Sequence, residues 1–274
     1  MQAIHANPRV TFRVAYEDDT VLVVEKPTRV VTLPGLGHEH DTLLNGLFAS
    51  HGNRLAQLGK ERSYGLLHRL DRETSGLVLV ALNTHAYDHL LEQFRTRAIG
   101  KFYWAVCHKA PNEDRGVIRF PIEEYQERAN RWSTLKKARV SKSGRSALTA
   151  YRVLQSSAVA ALIEARPVTG RLHQVRVHLA AIGAGILGDD WYGPRATSKA
   201  SARLALHAHR LTFTHPVSGQ RIDVRTKWPS DLRRLLRRLH LDRPDLEAGS
   251  DEGEHELGSG AVGIEDADLG EAED

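Results

Sequence analysis

The sequence predicts an α+β fold, a mostly antiparallel mixed sheet with flanking helices. Two observations support this class, and a third shows that the chain can build a core. Strand-like apolar runs dominate the chain, and helical patterns are few. No Gly-rich loop follows a predicted strand, which argues against a mononucleotide- or dinucleotide-binding fold. Of the 274 residues, 41% are hydrophobic, which is enough to build a sizeable core.

The N-terminal part combines short strands with two helices. A helix is predicted over 41–50, with Asp41 or Thr42 as its N-cap. A second helix begins after Asn83, which is a good capping residue, and runs to about Arg95. The apolar runs between turns predict strands at 11–14, 21–24, 30–33 and 77–82.

Strands predominate in the rest of the chain. The polar and basic segment 127–145 predicts a long hairpin or loop. A helix over 172–182 ends at Gly183, and a last helix begins near Ser230 with leucines spaced i, i+3, i+4 and i+7. The predicted strands are 101–108, 116–122, 146–155, 159–166, 204–214 and 221–226.

The composition restricts the classes of protein to consider. Cys107 is the only cysteine, so no disulfide or cysteine-based metal site can form within the chain, which fits a reducing cytoplasm. Residues 1–14 lack the apolar core of a secretory signal. No stretch approaches the roughly 20 apolar residues of a membrane helix, so no membrane partner is expected.

The charge is distributed very unevenly. Residues 245–274 contain twelve Asp or Glu and no Lys or Arg. The other 244 residues therefore hold all 38 basic and 22 of the 34 acidic side chains, a formal net charge of +16. We predict a folded domain over 1–244 and an acidic, disordered tail over 245–274. A basic body of this size indicates a polyanionic partner, most simply a nucleic acid.

One aspartate stands in an unusual setting. Asp71 lies between Arg69 and Arg72, beside a Thr-Ser-Gly turn and just before an apolar strand. A carboxylate held by cations stays ionised at neutral pH, which suits a nucleophile better than a general acid. A surface ion pair in a loop would give the same pattern.

Two further runs carry candidate functional side chains. On the helix over 172–182, Arg176 lies close to the core, where an arginine needs an acidic partner. Asp71 is one candidate for that partner, and a solvated arginine is the alternative. In the strand over 101–108, Tyr103 either belongs to the core or lines a pocket and stacks on a base.

Metal and serine-hydrolase chemistry find little support. His173 and His178 do not have the i, i+4 spacing of helical metal ligands, and His207 and His209 lack a nearby Glu or Cys. No metal site is therefore predicted. The chain also lacks the Gly-x-Ser-x-Gly elbow of serine hydrolases.

Taken together, these runs resemble the RluA-type RNA pseudouridine synthases over roughly residues 11–226. The runs near Asp71 and Arg176 agree with the family in order and spacing, and the first is highly specific. The matching segments are Val23-Val24-Glu25-Lys26-Pro27, 68–76, 101–106, 169–178, 185–193, Leu206-His207-Ala208 and Thr214-His215-Pro216.

The resemblance implies the pseudouridine synthase catalytic fold and a reaction that isomerises a uridine in structured RNA, 23S rRNA or tRNA or both. It implies no metal or organic cofactor. Asp71 corresponds to the catalytic carboxylate, Arg176 to the arginine paired with it, and Tyr103 to the tyrosine that stacks on the base and is a candidate acceptor for the C5 proton. The expected RNA or uridine contacts are Arg69, Arg72, His68, Thr74, Arg171 and His173.

The chain departs from the family pattern outside these runs. Glu25 replaces the usual Asn before Lys-Pro, and Val30-Val31-Thr32 replaces a Gly-containing stretch. Because the catalytic domain is expected to start within about a dozen residues, the chain resembles the short subgroup without the S4 RNA-binding module. The lack of an obvious apolar interface helix favours a monomer.

Two other function classes compete with this reading. A noncatalytic RNA-binding protein, such as a ribosome-assembly factor on the same scaffold, would not need Asp71, Tyr103 and Arg176. A glycosidase acting on a nucleoside or sugar would need a second carboxylate, for which Glu73 is the nearest candidate in sequence.

Overall fold

The computed structural model describes residues 4–130 and 133–244. The predicted acidic tail, 245–274, lies outside the described residues, and the predicted domain boundary at residue 244 therefore stays a prediction. The described helices are α1 Leu43–Leu58, α2 Thr84–Arg95, α3 Gln174–Ala181, α4 Arg195–Ser198 and α5 Arg233–Arg238. The strands are β1 Arg13–Glu17, β2 Val21–Lys26, β3 Ser75–Ala81, β4 Gly100–Cys107, β5 Arg115–Ile118, β6 Ile122–Asn130, β7 Ser133–Val140, β8 Thr149–Ser156, β9 Ala161–Pro167, β10 Leu206–Thr214 and β11 Arg221–Arg225.

One large sheet organises the described chain. Its strand order is β1-β2-β3-β10-β4-β9-β8-β5, and β11 pairs with β10. Strands β3 and β10 run parallel, whereas the other pairs described for this sheet are antiparallel. Strands β6 and β7 form a separate antiparallel hairpin that overlaps the segment predicted as a hairpin or loop and begins five residues before it. The mixed α+β class with a mostly antiparallel sheet is confirmed.

Local sequence signals account for the two long helices. The Thr42 hydroxyl accepts a hydrogen bond from the Asn45 amide, and the Asn45 side chain accepts one from the Thr42 amide, which makes a capping box for α1. Asn83 caps α2 by accepting a hydrogen bond from the Ala86 amide at 2.9 Å. Helix α1 continues to Leu58, beyond the predicted end at residue 50, because Leu55 and Leu58 also pack in the core.

The strand predicted at 30–33 is wrong. The carbonyls of Val31 and Thr32 accept hydrogen bonds from the amides of Leu43 and Leu44 at 2.8 and 3.1 Å, at the start of α1. Arg29 adopts a left-handed backbone with φ 65°, which turns the chain away from the sheet after β2. The segment therefore supports a helix terminus, where unpaired amides need acceptors.

The strand register brings two distant runs of sequence together. Ala208 of β10 pairs with Gly76 at the start of β3 on one side and with Tyr103 of β4 on the other. The loop that carries Asp71 leads directly into β3. Pairing with the same residue of β10 therefore places the end of this loop and Tyr103 close together on the central strands of the sheet.

Replacing Gly76 with alanine is expected to lower the free energy of unfolding by about 2–4 kcal/mol. Gly76 has φ +122°, and a Cβ there would lie 2.2 Å from the carbonyl oxygen of Ala208. The β3–β10 pairing would have to open to admit the methyl group. Chemical denaturation measures the loss.

Gly35→Ala is the matched control for this substitution. A Cβ at Gly35 would have no atom within 4 Å, so stability should change by less than about 0.5 kcal/mol. Equal stabilities for Gly76→Ala and Gly35→Ala would show that the close approach at Ala208 is not a constraint on the fold.

Candidate active site

A cavity of about 460 Å³ opens beside the loop that carries Asp71. Its volume is in the range of sites that hold small ligands. Eight of the nine side chains predicted from the sequence line it, namely His68, Arg69, Asp71, Thr74, Tyr103, Arg171, His173 and Arg176. Arg72 does not line the cavity, because it is exposed and pairs with Glu73 at 2.9 Å.

Asp71 lines this cavity and is partly exposed to solvent. Its side chain is 25% exposed, and Oδ2 lies 3.5 Å from Arg176 Nη1 and 3.9 Å from His173 Nε2. The Thr74 amide donates to the Asp71 carbonyl at 3.1 Å and closes a turn around the residue. Asp71 is thus held by its backbone and by one arginine, with a carboxylate oxygen accessible to a ligand.

Arg176 has a second and closer acidic partner, Asp189. Nε and Nη2 of the arginine each donate to one carboxylate oxygen at 2.9 Å. Burial alone would lower the pKa of Arg176, but the hydrogen bonds and charge of Asp189 outweigh it and hold the pKa above its ordinary value. Because Asp189 fixes the plane of the guanidinium group through two hydrogen bonds, the remaining nitrogen, Nη1, faces Asp71 in a defined direction.

Sequence reasoning missed Asp189. Its carboxylate is almost fully buried, and Oδ1 also accepts hydrogen bonds from the amides of Trp191 and Tyr192 at 3.0 and 3.2 Å. Burial raises the pKa of Asp189, but the hydrogen bonds from Arg176 more than reverse this and leave it lowered. The available signal was that a buried arginine needs a buried acid, and the run 185–193 supplies one.

The residues before Asp71 are anchored to β3. His68 Nε2 accepts a hydrogen bond from the Leu79 amide at 2.9 Å. Burial lowers the pKa of His68 to about 3, and the charge of Lys101 acts in the same direction, so the ring is neutral and able to accept. Lys101 also lines the cavity, although the sequence analysis did not name it as a site residue. Burial lowers its pKa to about 8.

Lys26 supports the loop that carries Asp71 through a hydrogen bond to its backbone. Its fully buried ammonium donates to the carbonyls of Pro27, Val30 and Arg72 at 2.9, 2.7 and 3.4 Å. Burial lowers its pKa to about 7, although the charge of Asp71 opposes this. The preceding Glu25, the departure noted in the sequence, pairs with Arg13.

Tyr103 and Thr74 present polar atoms in a largely buried setting. Burial raises the pKa of Tyr103, and the charge of Asp71 raises it further, so the phenol keeps its proton. The Thr74 hydroxyl is buried and has no hydrogen-bond partner among the described residues. An unpaired buried hydroxyl in a cavity wall is costly unless a ligand or water satisfies it.

The loop that leads into α3 is held by Gln174. Its side-chain oxygen accepts from the Thr169 hydroxyl at 2.7 Å and from the Arg171 amide at 3.0 Å. Its amide group donates to the Leu148 carbonyl at 2.9 Å. This network fixes the backbone from which Arg171 and His173 reach the cavity.

The described residues include no group of three or more His, Cys, Asp or Glu that could hold a metal ion. The predicted absence of a metal and of an organic cofactor stays a prediction. Among the helices described, none is long and apolar enough to cross a membrane.

Comparison with known proteins finds relatives over most of the chain. A family model described as RNA pseudouridylate synthase matches residues 20–181. An uncharacterized RNA pseudouridine synthase of Bacillus subtilis, YlyB, is 38% identical over 224 residues, 82% of this chain and 71% of the relative. The ribosomal large subunit pseudouridine synthase D of Zymomonas mobilis is 34% identical over 245 residues, 86% of this chain and 76% of that protein. The solved structure of human RNA pseudouridylate synthase domain containing 4 has a TM-score of 0.63 at 26% identity, and covers 85% of this chain and 95% of its own.

Proposed function

The chain belongs to the RNA pseudouridylate synthase family, whose members are isomerases, and we propose that it converts specific uridines of ribosomal RNA to pseudouridine with Asp71 as the catalytic carboxylate. The observation that carries the proposal is the Asp71 carboxylate, held 3.5 Å from Arg176 in a cavity that also contains Tyr103. Two relatives are named ribosomal large subunit pseudouridine synthase D, which favours ribosomal RNA over tRNA as the substrate.

The reaction breaks the bond between N1 of uracil and C1′ of ribose and forms a bond between C5 and C1′. The C5 proton is lost, N1 gains a proton, and the overall composition is unchanged. An ionised carboxylate beside the sugar or base assists this exchange by attack or by proton removal. Arg176 keeps Asp71 oriented, and because Arg176 donates Nε and Nη2 to Asp189, its Nη1 is the atom that faces Asp71.

Tyr103 is assigned to stacking on the extruded base. Tyr103 also stays the candidate acceptor for the C5 proton. Burial and the charge of Asp71 raise the pKa of its phenol, so the hydroxyl would have to give up its own proton before it could accept that one. The flat ring still offers a surface for the uracil, and stacking offsets part of the cost of flipping the nucleotide out of folded RNA.

The competing classes make different use of these residues. A noncatalytic RNA-binding protein would gain nothing from a buried Arg176–Asp189 pair aimed at an accessible carboxylate. A glycosidase needs a second catalytic carboxylate. Glu73, the candidate from the sequence, pairs with Arg72 and does not line the cavity. Glu124 of the β6–β7 hairpin does line the cavity, so a glycosidase would have to use Glu124 as its second carboxylate.

Tritium release from RNA labelled at uridine C5 tests the function directly. Transcripts of 23S rRNA and bulk tRNA are compared, with free uridine as the arm that tests nucleoside chemistry. Release from 23S rRNA alone is expected. Release from tRNA alone would change the substrate class, and no release from any RNA would favour the noncatalytic binder.

The exposed arginines of α5 are proposed to contact RNA phosphates. They extend from a helix whose Leu235 and Leu236 are buried in the core. Replacing all four with alanine should raise the RNA dissociation constant and reduce the slope of log K against log salt by about 2–4, because each lost phosphate contact removes about 0.7–0.9. The arginines are Arg233, Arg234, Arg237 and Arg238.

A control of equal charge keeps this test specific. The control variant replaces four other exposed basic residues, Lys109, Arg115, Arg119 and Lys142. We expect it to change the slope by less than 1 on the same scale. Equal effects of both variants would mean that net charge alone sets RNA affinity and that α5 makes no particular contact.

A further inference from the structure

The Tyr192 hydroxyl lies within hydrogen-bond distance of His173 Nδ1, and its second partner indicates the direction of that bond. The Tyr192 hydroxyl oxygen accepts a hydrogen bond from the Ala138 amide of β7 at 3.0 Å and lies 2.7 Å from His173 Nδ1. Burial raises the pKa of Tyr192 to about 12, so the hydroxyl keeps its proton at neutral pH. That proton needs an acceptor, and of the two partners only Nδ1 can accept it, because an amide N–H is a donor.

The tautomer of His173 follows from this bond. A ring whose Nδ1 accepts a hydrogen bond carries its proton on Nε2. Burial lowers the pKa of His173 to about 4; Asp71 and Asp189 oppose this, whereas Arg176 and Arg69 act with burial. The ring is therefore neutral at physiological pH and is a hydrogen-bond donor through Nε2.

The donor atom faces the reacting groups. His173 lines the cavity, and its Nε2 lies 3.9 Å from Asp71 Oδ2, which is longer than a hydrogen bond. Trp191 packs edge-on against the ring, with centroids 5.1 Å apart. Trp191 therefore fixes one side of the ring and Tyr192 fixes Nδ1. Nε2 lies beside the Asp71 carboxylate but makes no hydrogen bond to it.

We propose that His173 is a neutral N–H donor to a uracil carbonyl oxygen and that Tyr192 is the positioning residue that sets its tautomer. This rests on the proposed function. When the N1–C1′ bond breaks, its electron pair remains on the uracil, and negative charge spreads to the carbonyl oxygens. A preorganised donor beside that charge lowers the barrier more than it strengthens binding.

The link to Ala138 extends this arrangement to the β6–β7 hairpin. Strand β7 packs on α3, and its Ala138 amide anchors the same hydroxyl that orients His173. Lys137 of the same strand lies over the Trp191 ring, 5.3 Å from its centroid. The hairpin therefore supports both groups that fix the donor.

Nitrogen-15 NMR of histidine-labelled protein reads the tautomer without any RNA. The His173 signals are assigned by their loss in His173→Asn. We expect an Nε2-protonated neutral ring in the wild-type protein and a mixture of tautomers in Tyr192→Phe. Tyr151→Phe, which removes a hydroxyl near the Glu113 carbonyl instead, should leave the His173 signals unchanged. A wild-type ring protonated on Nδ1 overturns the assignment.

Kinetics of two amide variants separate the donor from a merely structural role. Glutamine places an N–H near the position of Nε2, whereas asparagine is too short but better suits the left-handed backbone of residue 173, at φ 52°. We expect kcat to fall by no more than about 5-fold in His173→Gln and by about 10- to 100-fold in His173→Asn, with RNA affinity within about 3-fold in both. Tyr192→Phe should lower kcat by about 10-fold.

Equal losses in the two amide variants, or a more active asparagine variant, would overturn the donor role. Circular dichroism and thermal melting verify that each variant is folded. Failure of the proposed function has a different signature, since wild-type protein would then release no tritium while the NMR result would still report the tautomer.

Discussion

Asp71→Asn is expected to lower turnover by about 10⁴-fold or more, while RNA affinity stays within a few-fold of wild type. The substitution keeps the shape of the side chain but removes the charge that the reaction requires. Arg176 remains paired with Asp189, so no buried cation is left without a partner. Single-turnover tritium release and filter binding on the same RNA measure the two quantities.

Glu73→Gln is the control for Asp71→Asn. It removes one negative charge two residues away, from a carboxylate that pairs with Arg72 on the surface. Turnover in this variant should remain within about 3-fold of wild type, because exposed ion pairs contribute little. Comparable turnover by Asp71→Asn and Glu73→Gln would contradict the assignment of Asp71 as the catalytic carboxylate.

Asp189→Ala is expected to lower the free energy of unfolding by about 3–5 kcal/mol. The substitution leaves a buried guanidinium whose remaining acidic neighbour is Asp71 at 3.5 Å. We also expect activity to fall, because Arg176 would turn fully onto Asp71 or lose its orientation. Denaturant unfolding and tritium release measure the two effects. Asp88→Ala, which breaks an exposed pair with Arg62, is the control and should leave the stability almost unchanged.

A double variant separates the structural and catalytic contributions of this pair. Arg176→Met with Asp189→Leu replaces the two charges by apolar side chains of similar volume, which often restores or exceeds the stability of a buried ion pair. The double variant should therefore be more stable than Asp189→Ala and yet remain nearly inactive, because Asp71 has lost its arginine. Restored activity in the double variant would show that Arg176 serves the fold alone.

The sequence alone determined the local features of this protein. Thr42 and Asn83 cap helices because their side chains satisfy amides within three residues, a contact that needs no tertiary information. Asp71 and Arg176 were recognisable because their runs have a specific order and spacing. The prediction of a strand at 30–33 was wrong because the short run Val-Val-Thr-Leu has the same pattern whether it pairs in a sheet or supports a helix terminus.

The tertiary structure decided which side chains meet. Asp189 and Tyr192 lie 13 and 19 residues from the side chains they hold, and one acid among 34 cannot be chosen as the partner of Arg176 from spacing. Ala208 pairs with Gly76 and Tyr103 through a register that only the assembled sheet defines. The physical reason is that long-range pairing depends on burial and strand register, which are properties of the whole chain, whereas caps and turns depend on neighbours in sequence.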